Sequence, residues 1–119
     1  MWEISVERDS NVDSLLAEFT KAFPYLKLII IDYKGNPVSG KIGAKKHLNA
    51  QVENESICIT GNKYLVTIKR EFQVAFRLHI EFQYLSKSGK VETCTNYELK
   101  KSLFDMNKEK EALGCIKWD

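Results

Sequence analysis

The sequence predicts an α+β domain: an N-terminal βαβ unit followed by a four-stranded antiparallel meander, forming one mixed sheet with helices on one face. Three observations predict it. Phe72, Val74, Phe76, Leu78, Ile80, Phe82 and Tyr84 stand at every second position, with Gln73, Ala75, Arg77, His79, Glu81 and Gln83 between them. Side chains alternate faces along a strand, so 72–85 reads as one long strand, apolar on one face and wet on the other. Near the N-terminus an alternating segment, a helical stripe and an apolar run follow one another with short joins. Gly61-Asn62 and Ser86 to Gly89 then supply the turn chemistry of hairpins.

Each element has its own local cause. Trp2, Ile4 and Val6 alternate with Glu3, Ser5 and Glu7, the pattern of a first strand. Ser10, Asn11 or Asp13 offers a side-chain oxygen to cap a helix. Val12, Leu15, Leu16, Phe19 and Phe23 make its apolar stripe, and Pro24 ends it by disfavouring the helical conformation of the residue before it. Tyr25 to Tyr33, centred on Leu28-Ile29-Ile30-Ile31, is apolar on both faces and reads as a central strand. Strand, helix and strand in that order imply a right-handed crossover with parallel strands.

Gly35, Pro37, Gly40 and Gly43 break up residues 34–54, leaving room for a short helix over Ala44–Gln51. Gly61-Asn62 as a two-residue loop places Ile59 opposite Tyr64 and Ile57 opposite Val66. The second hairpin pairs Tyr84 with Val91 through a four-residue loop, or sets His79 against Glu98 if Ser88-Gly89 alone turns. Leu99, Leu103, Phe104 and Met106 continue into a C-terminal helix, with Asn107 available to cap a last turn that stops at Gly114. No internal repeat, low-complexity tract or interdomain linker is expected.

With 119 residues, 44% hydrophobic and 29% charged, the chain has the composition of one globular domain spanning 1–119. A net charge of +2 gives no general attraction to nucleic acid or anionic membrane. Cys58, Cys94 and Cys115 are odd in number and widely spaced, which favours reduced thiols over a disulfide framework. The N-terminal residues lack the basic and apolar regions of a secretory signal, and Leu28 to Ile31 is too short to span a bilayer. The expectation is a cytoplasmic protein, taking Met1 as the natural start.

Gly35-Asn36-Pro37-Val38-Ser39-Gly40-Lys41-Ile42 has the glycine and lysine spacing of a phosphate-binding P-loop. Ile42 stands where a hydroxyl must ligate Mg²⁺, and Gly43 is a poor first residue for the helix that should hold the phosphates. Nucleotide hydrolysis is therefore not expected. What survives is a basic loop, Gly40, Lys41, Lys45, Lys46 and His47, able to bind an anion through charge and free backbone N–H groups. A solvated connector explains the same residues. The loop has no aromatic platform for stacked bases, so nucleic acid is not the expected ligand.

The wet face of the long strand brings Arg77, His79, Glu81 and Glu98 together, joined by Cys94 and Asn96. A histidine beside a carboxylate suits general-base chemistry, and ordinary cross-strand polar pairs account for the pattern equally well. No cysteine has an activating neighbour, and His47 and His79 are isolated from other metal ligands. Neither cofactor nor metal is expected. The sequence favours a non-enzymatic partner-binding or regulatory module. Self-association is expected from the overhang of a strand as long as Phe72 to Leu85, and a protein partner is the other expectation. Anion or nucleic-acid binding through 40–47 and a small enzyme built on the polar face of 72–85 are the alternatives.

Overall fold

Residues 3–7, 9–42 and 56–118 are described by the structure, a computed structural model. β1 (Glu3–Glu7), α1 (Val12–Ala22) and β2 (Lys27–Ile31) come first, and β3 (Ser56–Thr60), α2 (Leu65–Phe76) and β4 (His79–Leu85) repeat that order. β5 (Val91–Thr93), a 3-10 turn at Glu98–Lys100 and α3 (Leu103–Ala112) complete the described chain. The α+β class holds. The strands form two separate antiparallel sheets, β1-β3 and β2-β4-β5, in place of one mixed sheet.

The expectation of no internal repeat is corrected: the β-α-β order occurs twice, and the buried positions of the two halves match. Displacing the first half by 53 positions sets Ile4 on Ile57, Val6 on Ile59, Val12 on Leu65 and Leu15 on Ile68. The same displacement sets Glu18-Phe19-Thr20-Lys21-Ala22-Phe23 on Glu71-Phe72-Gln73-Val74-Ala75-Phe76, and Pro24 on Arg77. Val12, Leu15, Phe19 and Phe23 are buried, and so are their counterparts Leu65, Ile68, Phe72 and Phe76.

The strand registers follow the repeat at a displacement of 53 in the first sheet and of 52 in the second, because the link from helix to strand is one residue shorter in the second half. Ile4 pairs with Ile59 and Val6 with Ile57, leaving Ser5 opposite its own counterpart Cys58. In the other sheet Leu28 pairs with Phe82 and Ile30 with Ile80, with Ile29 opposite Glu81. Antiparallel pairing of equivalent strands is what a two-fold rotation produces. The molecule is thus two βαβ halves related by a pseudo-two-fold axis through Ser5/Cys58 and Ile29/Glu81. β1 and β2 consequently lie in different sheets, which replaces the parallel crossover expected from their order.

The helices line the core from both halves. Phe19 meets Phe23 at 5.4 Å between ring centroids and reaches Phe82 of the other half at 6.0 Å; Phe72 meets Phe76 at 5.9 Å. These rings, with Leu28, Ile30, Ile80, Leu103 and Met106, belong to one buried cluster. Asn11 caps α1, its Oδ1 accepting from Ser14 N at 3.1 Å.

The long strand 72–85 is corrected: it is the end of α2 and the whole of β4. Phe72 and Phe76 fit a helix as well as a strand, because four residues is a multiple of two and nearly a full helical turn. Val74 and Ala75 separate the readings: Val74, on the strand's apolar face, is 73% exposed, and Ala75, on its wet face, is buried. The polar strand face shrinks accordingly to β4. Gly61-Asn62 does form a turn, with Lys63 N donating to Thr60 O at 3.2 Å, but it delivers the chain into α2. The last hairpin sets Leu85 opposite Val91 and Tyr84 opposite Glu92, a register different from both expected ones. Asn107 does not cap: its Oδ1 accepts from Tyr25 N at 3.0 Å, fastening α3 to the junction between α1 and β2.

Candidate functional site

The pseudo-symmetry creates two related clefts, each between the outer face of a helix and the start of the next strand. In the second half Val66, Lys69, Arg70 and Gln73 of α2 face Leu78, His79 of β4 and Leu99 of the 3-10 turn, around a volume of about 280 Å³. In the first half Leu16, Ala17, Thr20 and Lys21 of α1 face Pro24, Lys27 of β2 and Trp118, around about 550 Å³. Leu16, Ala17 and Thr20 are the counterparts of Lys69, Arg70 and Gln73, and both clefts carry a basic residue at the first position of the strand, Lys27 or His79.

Each cleft is lined by two cations, and in the α2 cleft both stand on the helix, with His79 opposite. Helical spacing puts Val66, Lys69, Arg70 and Gln73 on one face of α2. Among the described residues Lys69, Arg70 and Arg77 make no ion pair, and no carboxylate lines the cleft. Arg77 ends α2 in a left-handed conformation, φ 54°, and its N–H donates to Gln73 O at 3.0 Å. Across Arg70, which borders both, Ile57, Glu71, Val74 and Ala75 line a smaller, mostly apolar groove. α2 therefore stands as a ridge with exposed Val66 and Val74 on its crest.

Of the residues expected on the polar strand face, the structure keeps two as neighbours on β4. His79 Nε2 lies 3.4 Å from Glu81 Oε1, a long contact at a half-exposed imidazole. Arg77 belongs to the helix end. Glu98 leaves the strand altogether and begins the 3-10 turn, buried and paired with Lys110. Gly40 and Lys41 run beside the start of α1, where Gly40 O accepts from Val12 N at 2.7 Å and Lys41 bridges Asn11. Ile42 is fully buried. Lys45, Lys46 and His47 lie outside the described residues.

A second cluster escaped the sequence reading. Thr95 and Glu98 cap one another: Thr95 N donates to Glu98 Oε1 at 2.9 Å and Glu98 N donates to Thr95 Oγ1 at 3.3 Å. Thr95-Asn96-Tyr97-Glu98 has the Ser/Thr-x-x-Glu spacing of a capping box, the signal that locates this turn. The other carboxylate oxygen accepts from Lys110 Nζ, which also sits 3.9 Å from the centre of the Tyr84 ring. Burial pushes the Glu98 carboxyl up, but the Lys110 ammonium and the Thr95 donors outweigh it and hold the group below its ordinary value. Burial likewise opposes the charge on Lys110, and Glu98 reverses the effect, so its ammonium is held above its usual range.

Beside them burial pushes the Cys94 thiol up to about 12. A thiol that stays protonated and an amine that stays charged are both poor nucleophiles at neutral pH. The cluster's work is mechanical: it ties β4, the 3-10 turn and α3 together and so fixes Leu99 as a wall of the α2 cleft. No family model matches this chain, and no curated protein or solved structure matches it either.

Proposed function

We propose that the protein is a non-enzymatic binding module that docks an acidic protein partner on the outer face of α2. The observation that carries this reading is the set of uncompensated cations on the ridge: Lys69, Arg70 and Arg77 make no ion pair among the described residues and adjoin exposed Val66 and Val74. Exposed basic groups beside apolar side chains favour a partner that brings carboxylates and an apolar anchor. The unreactive forms of Cys94 and Lys110 support a role in binding over one in catalysis.

Self-association is the rival occupant of this face. The strand overhang that argued for it is gone, since β4 ends at seven residues. A two-fold contact would also set a basic patch against itself, which repels. A display selection of random peptides against the purified protein tests the reading. It should enrich acidic sequences with an apolar residue, their binding should weaken steeply with salt, and Lys69→Glu with Arg70→Glu should abolish it. Neutral peptides indifferent to that charge reversal, or a dimer whose contact shields α2, would refute the proposal. Arg70 is exposed and Lys69 half-buried at the edge of the cleft, and neither makes an ion pair among the described residues, so the variant should stay folded with a thermal midpoint close to that of the parent.

A further inference from the structure

We propose that the groove between α1 and β2 is a separate ligand site that takes a small aromatic carboxylate. The pseudo-symmetry makes it the counterpart of the α2 cleft, but substitution has changed its character. Where the second half has Lys69 and Arg70, the first has Leu16 and Ala17, so the helix side offers an apolar floor. Pro24 and Trp118 add flat surfaces. About 550 Å³ is within the range of small-molecule sites, roughly 300–1,000 Å³.

The charge of the groove selects the sign of its ligand. Among the described residues Lys21 and Lys27 are the only charged ones that line it, and neither makes an ion pair there. Lys27 Nζ instead lies 4.8 Å from the centre of the Trp118 ring, which orients the ammonium without using up its donors. Trp118 is itself positioned, since its backbone N–H donates to Pro24 O at 2.9 Å. A planar ring against Trp118 and Pro24 brings an attached carboxylate to the two ammonium groups, which supply the charge-assisted hydrogen bonds. This site does not depend on the partner-docking reading, because it uses none of the α2 residues.

The test is an amide-resolved NMR titration with 2-naphthoate and with 2-naphthamide, its neutral relative. The expected result is saturable binding of the carboxylate, with shifts centred on Thr20, Lys21, Lys27 and the Trp118 indole. The amide, and the Lys27→Ala variant with the carboxylate, should each bind about tenfold more weakly, the share of one charge-assisted hydrogen bond. Lys21→Ala serves as the second variant if Lys27→Ala lowers the thermal midpoint. Shifts centred on Lys69, Arg70 and His79, equal affinity for the amide, or no saturation at millimolar 2-naphthoate would each overturn the proposal.

Discussion

At Lys110 the chain buries a full positive charge, its side chain 4% exposed, against a Glu98 side chain 12% exposed. Removing one member leaves the other charged, buried and alone. Lys110→Ala should therefore cost about 3–5 kcal/mol by urea denaturation, whereas replacing both with apolar residues of similar size should cost much less. The pair also sets a pH window. Glu98 is held below the ordinary glutamate value of about 4.3, so its contribution is present above that pH and is lost as pH falls through its depressed folded value. Lys110 is held above about 10.4, so its contribution is present below that pH and lost as pH rises through its folded value. The acid limb of the stability profile should flatten in Glu98→Gln; an unchanged limb would assign acid unfolding to other carboxylates. Cys94, with its thiol pushed up to about 12, should resist iodoacetamide in the folded protein while half-buried Cys58 and Cys115 react.

Among the elements, α2 is the one whose identity matters most, because both the docking ridge and the duplication depend on its being a helix. Val74→Ala distinguishes the two conformations. On an exposed helical position alanine is the better residue by up to about 0.7 kcal/mol, so the melting point should hold or rise slightly. In a strand the same change removes a favoured β-branched residue and should lower it. Arg77→Gly should stabilise by up to about 1 kcal/mol, since Arg77 holds φ 54° where glycine is unstrained. Leu78, 1% exposed just before β4, should cost about 2–5 kcal/mol when cut to alanine.

Much of the first half was legible because its signals agree: Asn11 caps, the Val12–Phe23 stripe has helical spacing, and Pro24 stops it. The second half hides the same stripe. Tyr64 makes no side-chain cap to α2, and Arg77 replaces the proline that would have marked its end. The alternation of Phe72, Val74 and Phe76 then joins onto the true strand without a visible break. The candidate site was less legible still. Arg77 and His79 fall close to the α2 cleft, but Lys69, Arg70 and Gln73 become its lining only once 65–76 is helical. Glu98 reads as a strand residue by alternation alone, and only the Thr95–Glu98 capping spacing marks it as the start of a turn.

For the whole molecule the duplication explains features that separate elements do not: two sheets instead of one, equivalent strands paired antiparallel, and clefts in related places with different chemistry. The two halves match in the core and differ at the surface. Phe19 and Phe72 stay aromatic in the core, whereas Leu16 and Lys69 diverge outside it. Helix α3 and the residues after it then pin the assembly, through Asn107 to Tyr25, Ile116 N to Leu85 O at 3.1 Å, and Trp118 N to Pro24 O.

The pseudo-two-fold axis makes a direct demand on covalent chemistry. Ser5 and Cys58 are counterparts and stand opposite each other in the β1-β3 pair, where directly opposed residues have the Cα separation a disulfide needs, about 4.4–6.8 Å. In Ser5→Cys, mild oxidation followed by peptide mapping should therefore yield a single dominant link between positions 5 and 58. Links from position 5 to Cys115 or Cys94, or no link while both thiols remain reactive, would contradict the pairing of equivalent strands on which the account rests.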